Sequence, residues 1–204
     1  MISKRSRGIA IKLMVVGCVI LLSACSKQSV QRAGEGATMG AVVGAAGGMV
    51  SALVFGGNVG DAAARGAVWG AGTGAASGAM IGAKENQVKK DQQAAAIEKL
   101  KSTLGEDAFN GLAALAKCKH ETALGYARTA ANLDDKNHAL AGLWIEVLTY
   151  ADSRQEDQAR ALFSDLVAKD SRISSEAQAE ESMRKALQKL MDIRGEYNLP
   201  RICG

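Results

Sequence analysis

Glycine recurs at every fourth residue in two uncharged stretches of this 204-residue chain. The first series is Gly36, Gly40, Gly44 and Gly48, and the second is Gly66, Gly70, Gly74, Gly78 and Gly82. Residues four apart lie on one face of a helix, so each series forms a stripe along which another backbone approaches closely. Each interior glycine would weaken an isolated helix in water by roughly 1 kcal/mol. The spacing therefore predicts two closely packed helices within residues 36–84.

Turn-forming residues separate the two series. The sequence Gly-Gly-Asn-Val-Gly at 56–60 is typical of a turn and predicts a helical hairpin. A helix over 36–57 would be about 33 Å long, enough for a hydrocarbon core of about 30 Å. The second helix is weakly apolar, so we expect it to depend on packing against the first or against other copies. A flexible Gly/Ala linker would not need the strict spacing, and no Gly-Lys-Ser/Thr follows that would indicate a phosphate-binding loop.

Residues 34–84 resemble the glycine-zipper two-pass domain of small bacterial surface-antigen lipoproteins and related envelope proteins. The resemblance lies in the repeated four-residue spacing, which is far more specific than a single Gly-x-x-x-Gly. It implies a membrane hairpin whose glycines carry helix packing, and self-association of the chain as a homo-oligomer in the cell envelope.

The N-terminal segment is typical of an export signal. Four basic residues at positions 4, 5, 7 and 12 precede an apolar run over 13–22, which is too short for a stable spanning helix. Cys25 follows Ser23 and Ala24, and this ending resembles the lipobox of bacterial lipoprotein precursors. The resemblance implies removal of residues 1–24, a covalent lipid on Cys25, a lipidated linker over 25–35 and, because Ser26 is not Asp, sorting to the outer membrane. The alternative is an uncleaved anchor helix.

Charge excludes one class of partner. The chain has 25 Lys plus Arg and 21 Asp plus Glu, and the segment before Cys25 holds four of the basic residues, so 25 − 4 = 21 remain against 21 acidic residues. Binding to nucleic acid requires clustered surplus cations, which a balanced mature chain lacks. We therefore expect membrane lipid and proteins as partners.

Residues 85–204 are charged and alanine-rich, with apolar residues at helical spacing. Helices are predicted near 87–103, 106–117, 120–132, 137–151, 155–169 and 174–197. The stretch 121–137 resembles the second helix and turn of a tetratricopeptide repeat, with Ala123, Ala127 and Ala130 at the small-residue positions. The resemblance implies stacked helix pairs with a groove for a partner protein. Since a hairpin returns the chain to the side it left, this domain is expected to face the periplasm.

Two features of this domain allow alternative interpretations. The apolar residues of 143–150, including Trp144 and Tyr150, are typical of a core, although they would also suit a groove. The last helix carries the basic residues Arg184, Lys185, Lys189 and Arg194, which are expected to form a solvated face. The alternative is that they contact anionic lipid or an anionic polymer.

Cys118 and Cys203 remain after export, and two thiols in an oxidising compartment suggest one disulfide, the alternative being two separate buried thiols. Cys118, His120 and Glu121 are close in sequence, but zinc-ligand spacing is missing, so neither a metal site nor a catalytic site is predicted.

The sequence thus predicts an all-α, non-enzymatic protein: a glycine-zipper transmembrane hairpin followed by a soluble tetratricopeptide-like domain. Its predicted function is that of a lipid-anchored envelope scaffold that self-associates and binds an envelope or periplasmic protein. The alternative function is an oligomeric pore built from the zipper helices, for which the polar residues Ser51, Thr73 and Ser77 provide little lining.

Overall fold

The computed structural model describes residues 40–58, 60–63, 65–66, 95 and 97–203. All regular secondary structure within these residues is helical, which confirms the predicted all-α class. Helix α1 spans residues 40–55, α2 contains residues 60–63 and 65–66, and α3 contains residues 97–104. The later helices are α4 (Glu106–Ala116), α5 (His120–Ala131), α6 (Lys136–Asp152), α7 (Glu156–Ala161), α8 (Phe163–Lys169) and α9 (Glu176–Glu196).

Local signals in the sequence explain where several helices begin. Asp135 caps α6, because its carboxylate accepts hydrogen bonds at 2.9 Å from the backbone N–H groups of Asn137 and His138. Ser175 caps α9 by accepting a bond from the N–H of Gln178. Between α3 and α4, Gly105 has φ 86°, a conformation that only glycine adopts without strain.

The helical body consists of α4 to α9. Helix α5 packs against both α4 and α6, which also contact each other, and α9 packs against α6 and α8. Trp144 on α6 is fully buried at 0% exposure, so the core interpretation of the Trp144 region is the correct one. Tyr150, at the end of the same stretch, is partly buried against this core.

The predicted helix over 155–169 is wrong in one respect, because the structure divides it at Leu162 into α7 and α8. The backbone of Leu162 has φ −91° and ψ −4°, which departs from a regular helix. The break lets α7 pack on α6 while α8 contacts α9 as well. Ala159 and Phe163, on either side of the break, are both buried.

Helix α1 shares its core with the helical body. Its buried residues Val42, Met49 and Val50 form one apolar cluster with residues such as Leu104 and Leu112. Among the helices that the structure describes, none combines the length and the hydropathy that a bilayer crossing requires, so the predicted transmembrane helices are not found there.

Candidate functional site

The backbones of α1 and α2 approach each other at two glycines of the predicted stripes. A methyl group at Gly48 would overlap the carbonyl of Ala62, and one at Gly66 would overlap the carbonyl of Gly44. Since position 48 pairs with 62 and position 44 with 66, the two segments run in opposite directions. Only glycine allows this contact, because any side chain at either position would push the two backbones apart.

Apart from Gly44, which faces Gly66 and is buried, the glycine stripe is also the side of α1 that is not fully buried. Of residues 40–55, all are buried except Gly40, Gly48, Ser51 and Phe55. At about 100° per residue these four positions fall within an arc of about 80°. We call this arc the glycine face. Phe55 is 46% exposed, and within the described residues the buried Ser51 hydroxyl has no hydrogen-bond partner.

A polar clasp holds the C-terminal end of α1 against the helical body. The Arg172 guanidinium donates to the carbonyl oxygens of Ala52, at 3.3 Å, and Leu53. Asp170 holds that guanidinium with an Nε to Oδ1 distance of 2.8 Å, and it also accepts the indole N–H of Trp144 at 3.1 Å. A cation beside the last carbonyls of a helix also interacts favourably with the helix dipole. We call Arg172 and Asp170 the surface clasp.

A second clasp of the same kind lies inside the helical body. Arg194 is 0% exposed, and its guanidinium forms two bonds of 2.7 Å to the carboxylate of Asp152. It also donates to the carbonyl oxygens of Leu115, at 2.6 Å, and Ala116, at 3.4 Å, at the C-terminal end of α4. The prediction that Arg194 belongs to a solvated face is therefore wrong. We call Arg194 and Asp152 the buried clasp.

Further groups surround the buried clasp. His120 Nε2 lies 2.8 Å from Asp152 Oδ2, and Cys203 Sγ lies 3.3 Å from the same oxygen. The structure joins Cys118 and Cys203 in a disulfide with a Cα–Cα distance of 5.5 Å. This bridge connects the C-terminal tail to the residues between α4 and α5.

The helices of the body also pack through small residues. Ala123, Ala127 and Ala130 on α5 are fully buried. A Cβ atom added at Gly142 on α6 would lie only 2.6 Å from the carbonyl oxygen of Ala127, so α5 and α6 also meet with their backbones in close approach.

On the solvent side of α5, Arg128 Nε bonds Glu146 Oε1 at 2.9 Å, and its guanidinium also donates to the Tyr150 hydroxyl. The hydrogen bonds to Glu146 and Tyr150 raise the pKa of Arg128 above its usual value. These three side chains fix the outer surface between α5 and α6.

The structure describes some of the predicted site residues and not others. Gly40, Gly44, Gly48 and Gly66 lie at or beside the contact between α1 and α2, and the two cysteines are joined. The remaining predicted residues lie outside the described part of the chain: Cys25, Gly36, Gly70, Gly74, Gly78 and Gly82.

Sequence reasoning missed both clasps. The sequence pattern assigns Arg194 to a solvated face because it lies in a polar stretch, and no local pattern pairs it with Asp152. The only available signal was the position of Arg194 next to Ile193, on the apolar side of α9.

Comparison with known proteins identifies a relationship for the N-terminal part alone. No curated protein and no solved structure matches the chain. The lipid on Cys25 and the tetratricopeptide resemblance stay predictions. Residues 3–86 match the model of the YMGG-like Gly-zipper family, so the glycine-rich region is similar to that family while the helical body lies beyond the match.

Proposed function

We propose that this protein is a lipid-anchored scaffold of the bacterial cell envelope. In this proposal Cys25 carries the lipid, the glycine face associates with further copies of the chain, and the helical body binds a partner protein at the periplasmic side of the outer membrane. The similarity of residues 3–86 to a Gly-zipper family supports the self-association.

The observation that carries the proposal is the glycine face of α1. Every other side of α1 is buried within the chain, whereas Gly40, Gly48, Ser51 and Phe55 remain partly or largely accessible. Small residues on a helix permit close approach of a further helix.

The surface of α5 supports the partner-binding part of the proposal. Tyr126 on α5 and Leu133, two residues beyond the end of that helix, are 38% and 39% exposed. Aromatic residues at a protein surface are typical of interaction sites. The side of α5 that faces α6 carries the charged Arg128 cluster, so the helix offers an apolar and a charged surface.

Self-association is tested by cross-linking the full-length lipoprotein in native membranes with an amine-reactive reagent. We expect the wild-type chain to give dimers and larger species and Phe55→Asp to lose them, because a charge at this exposed position of the glycine face opposes apolar contact with a second copy and leaves the contact between Gly48 and Ala62 intact. The matched control is Tyr126→Asp, which places the same charge at an exposed aromatic residue outside α1. Equal cross-linking of both variants would contradict the proposal.

Two further measurements separate the parts of the proposal. Ser51→Ala is expected to weaken cross-linking less than Phe55→Asp, because it removes only a buried hydroxyl and introduces no charge on the glycine face. Cys25→Ser is expected to abolish incorporation of labelled palmitate, and incorporation by that variant would exclude Cys25 as the lipidation site.

A further inference from the structure

Four potential zinc ligands meet at the buried clasp, two of them from residues 118–120, one from α6 and one from the C-terminal tail. One ligand atom each from His120, Asp152 and Cys203 lies within 4.8 Å of the others. The sulfur of Cys118 is covalently attached to that of Cys203. Asp152 and Cys203 are buried and His120 is partly buried, so water has limited access to the cluster.

Cys203 Sγ and Asp152 Oδ2 are in van der Waals contact at 3.3 Å. A sulfur in a disulfide has no hydrogen to donate and an ionised carboxylate only accepts, so this contact is not a hydrogen bond in the oxidised protein. Reduction allows a thiol proton or a cation to bridge the two atoms.

We propose that reduction of the Cys118–Cys203 disulfide creates a Zn²⁺ site formed by both cysteines, His120 and Asp152. A dithiol or phosphine reductant supplies two electrons, the S–S bond breaks, and each sulfur takes one proton. Zn²⁺ then displaces the two thiol protons and binds two thiolates, one imidazole nitrogen and one carboxylate oxygen. The oxidised protein lacks both thiolates and does not form the site.

The distances suit a tetrahedral zinc ion after small movements. Zinc bonds of about 2.0–2.3 Å place neighbouring ligand atoms about 3.4–3.8 Å apart. His120 Nε2 and Asp152 Oδ2 are now 2.8 Å apart, and Cys203 Sγ and Asp152 Oδ2 are 3.3 Å apart. Each of these two pairs therefore needs to separate by only a few tenths of an ångström to about 1 Å. The two sulfurs, which are bonded to each other in the disulfide, move further, to the separation of about 3.8 Å that two zinc-bound thiolates need.

Arg194 balances the charge of the proposed site. Two thiolates and the Asp152 carboxylate bring three negative charges, and Zn²⁺ with Arg194 brings three positive charges. Arg194 bonds both oxygens of Asp152, so the bond to Oδ1 is retained while Oδ2 turns to the metal. Such an outer contact orients a ligating carboxylate in many metal sites.

The test uses the full chain in detergent, after reduction by a phosphine or without reduction. We expect the reduced protein to bind one Zn²⁺ with release of two protons, and Co²⁺ in its place to give a thiolate-to-metal absorption band. The oxidised protein is expected to give neither. Absence of binding to the reduced chain would overturn the proposal.

Variants identify the ligands. His120→Gln and Cys203→Ser are each expected to weaken Zn²⁺ affinity at least tenfold. The matched control is His138→Gln, because His138 bonds the backbone oxygen of Ser102 at 3.1 Å and lies outside the cluster. Equal affinity in His120→Gln and His138→Gln would overturn the assignment of His120.

Folding of the reduced chain is checked by circular dichroism. We expect reduction to preserve the helical signal and Zn²⁺ to raise the melting temperature of the reduced protein alone, since a ligand that binds the native state stabilises it. A reduced chain that loses its helical signal and does not regain it with Zn²⁺ would also overturn the proposal, because the four ligands would no longer converge.

Discussion

Two arginine–aspartate pairs close the C-terminal ends of two helices in this chain, and they differ in their exposure to water. Arg194 and Asp152 close α4, with side chains 0% and 3% exposed. Arg172 and Asp170 close α1, with side chains 35% and 1% exposed. Both carboxylates are buried, so the two pairs differ in the arginine: Arg194 is fully desolvated, whereas Arg172 is partly hydrated. We therefore expect the buried clasp to contribute more to stability than the surface clasp.

This difference fits the proposed roles of the two regions. The helical body is further constrained by the Cys118–Cys203 bridge, which spans a sequence separation of 85 residues. Such a bridge contributes about 4 kcal/mol in the chain-entropy model. Within the described residues α1 has only apolar contacts, close glycine contacts and the surface clasp. We therefore expect α1 to separate from its neighbours at a lower free-energy cost than the helices of the body do.

The largest effect is expected from breaking the buried clasp. Arg194→Met should lower the free energy of unfolding by about 3–5 kcal/mol, because it leaves the Asp152 carboxylate buried without its cation. Urea denaturation followed by circular dichroism measures the change. The double variant Arg194→Met/Asp152→Leu should recover most of the loss. A single variant within about 1 kcal/mol of the wild type would contradict the burial of the pair.

Gly142 on α6 tests whether the close approach of two helix backbones stabilises the helical body. Gly142→Ala should destabilise the protein by about 1–3 kcal/mol, because the new methyl group would meet Ala127 O at 2.6 Å and Ala130 Cβ at 2.7 Å. Gly125→Ala is the control, since the added methyl group has open space and should stabilise α5 by up to about 1 kcal/mol. The same denaturation experiment compares them, and equal effects would contradict the close packing of α5 and α6.

Breaking the surface clasp should have a smaller and local effect. The double variant Arg172→Gln/Asp170→Asn removes the contacts to the carbonyls of Ala52 and Leu53 without leaving a buried carboxylate unpaired, and it should ease the opening of α1 by about 1–2 kcal/mol. Hydrogen exchange should then be about tenfold faster in α1 and unchanged in α9. The control is Arg160→Gln, whose ion pairs with Glu156 and Glu180 are exposed and contribute little. Equal acceleration throughout the chain would mean that α1 and the body open together.

The smallest effect concerns the exposed cap of α6. The pKa of Asp135 is lowered, mainly by the backbone hydrogen bond from His138. A lowered folded-state pKa means that the stabilisation is present above the usual value of 3.8 and is lost as the pH falls through the folded value. The wild type should therefore exceed Asp135→Asn in melting temperature at pH 7, and the two should converge on acidification. A constant difference would exclude the charge as its cause.

Local patterns were sufficient to predict much of the fold. Helices near 106–117, 120–132 and 137–151 follow from apolar spacing and turn residues, and the described helices agree within one or two residues. Burial of Trp144 follows from the same spacing. The break at Leu162 could not be predicted, since no local sequence signal marks it. It allows α7 and α8 to contact different neighbouring helices, and these contacts depend on the tertiary structure.

The polar sites needed the tertiary structure. His120 and Cys118 were noted as neighbours in sequence, but Asp152, Arg194 and Cys203 reach them only because α6, α9 and the C-terminal tail converge. An arginine in a polar stretch gives no local sign of burial, because its environment depends on residues up to 79 positions away, as with the carbonyl of Leu115.

The helical class follows from the residue pattern, as does the close approach predicted along the glycines, because both depend on residues within one or two helical turns of each other. Which charges are desolvated, and where the four potential metal ligands meet, depends on how the helices and the C-terminal tail pack. Hydrogen bonding and periodic burial act over a few residues, whereas the electrostatic environment of a side chain depends on every element packed around it.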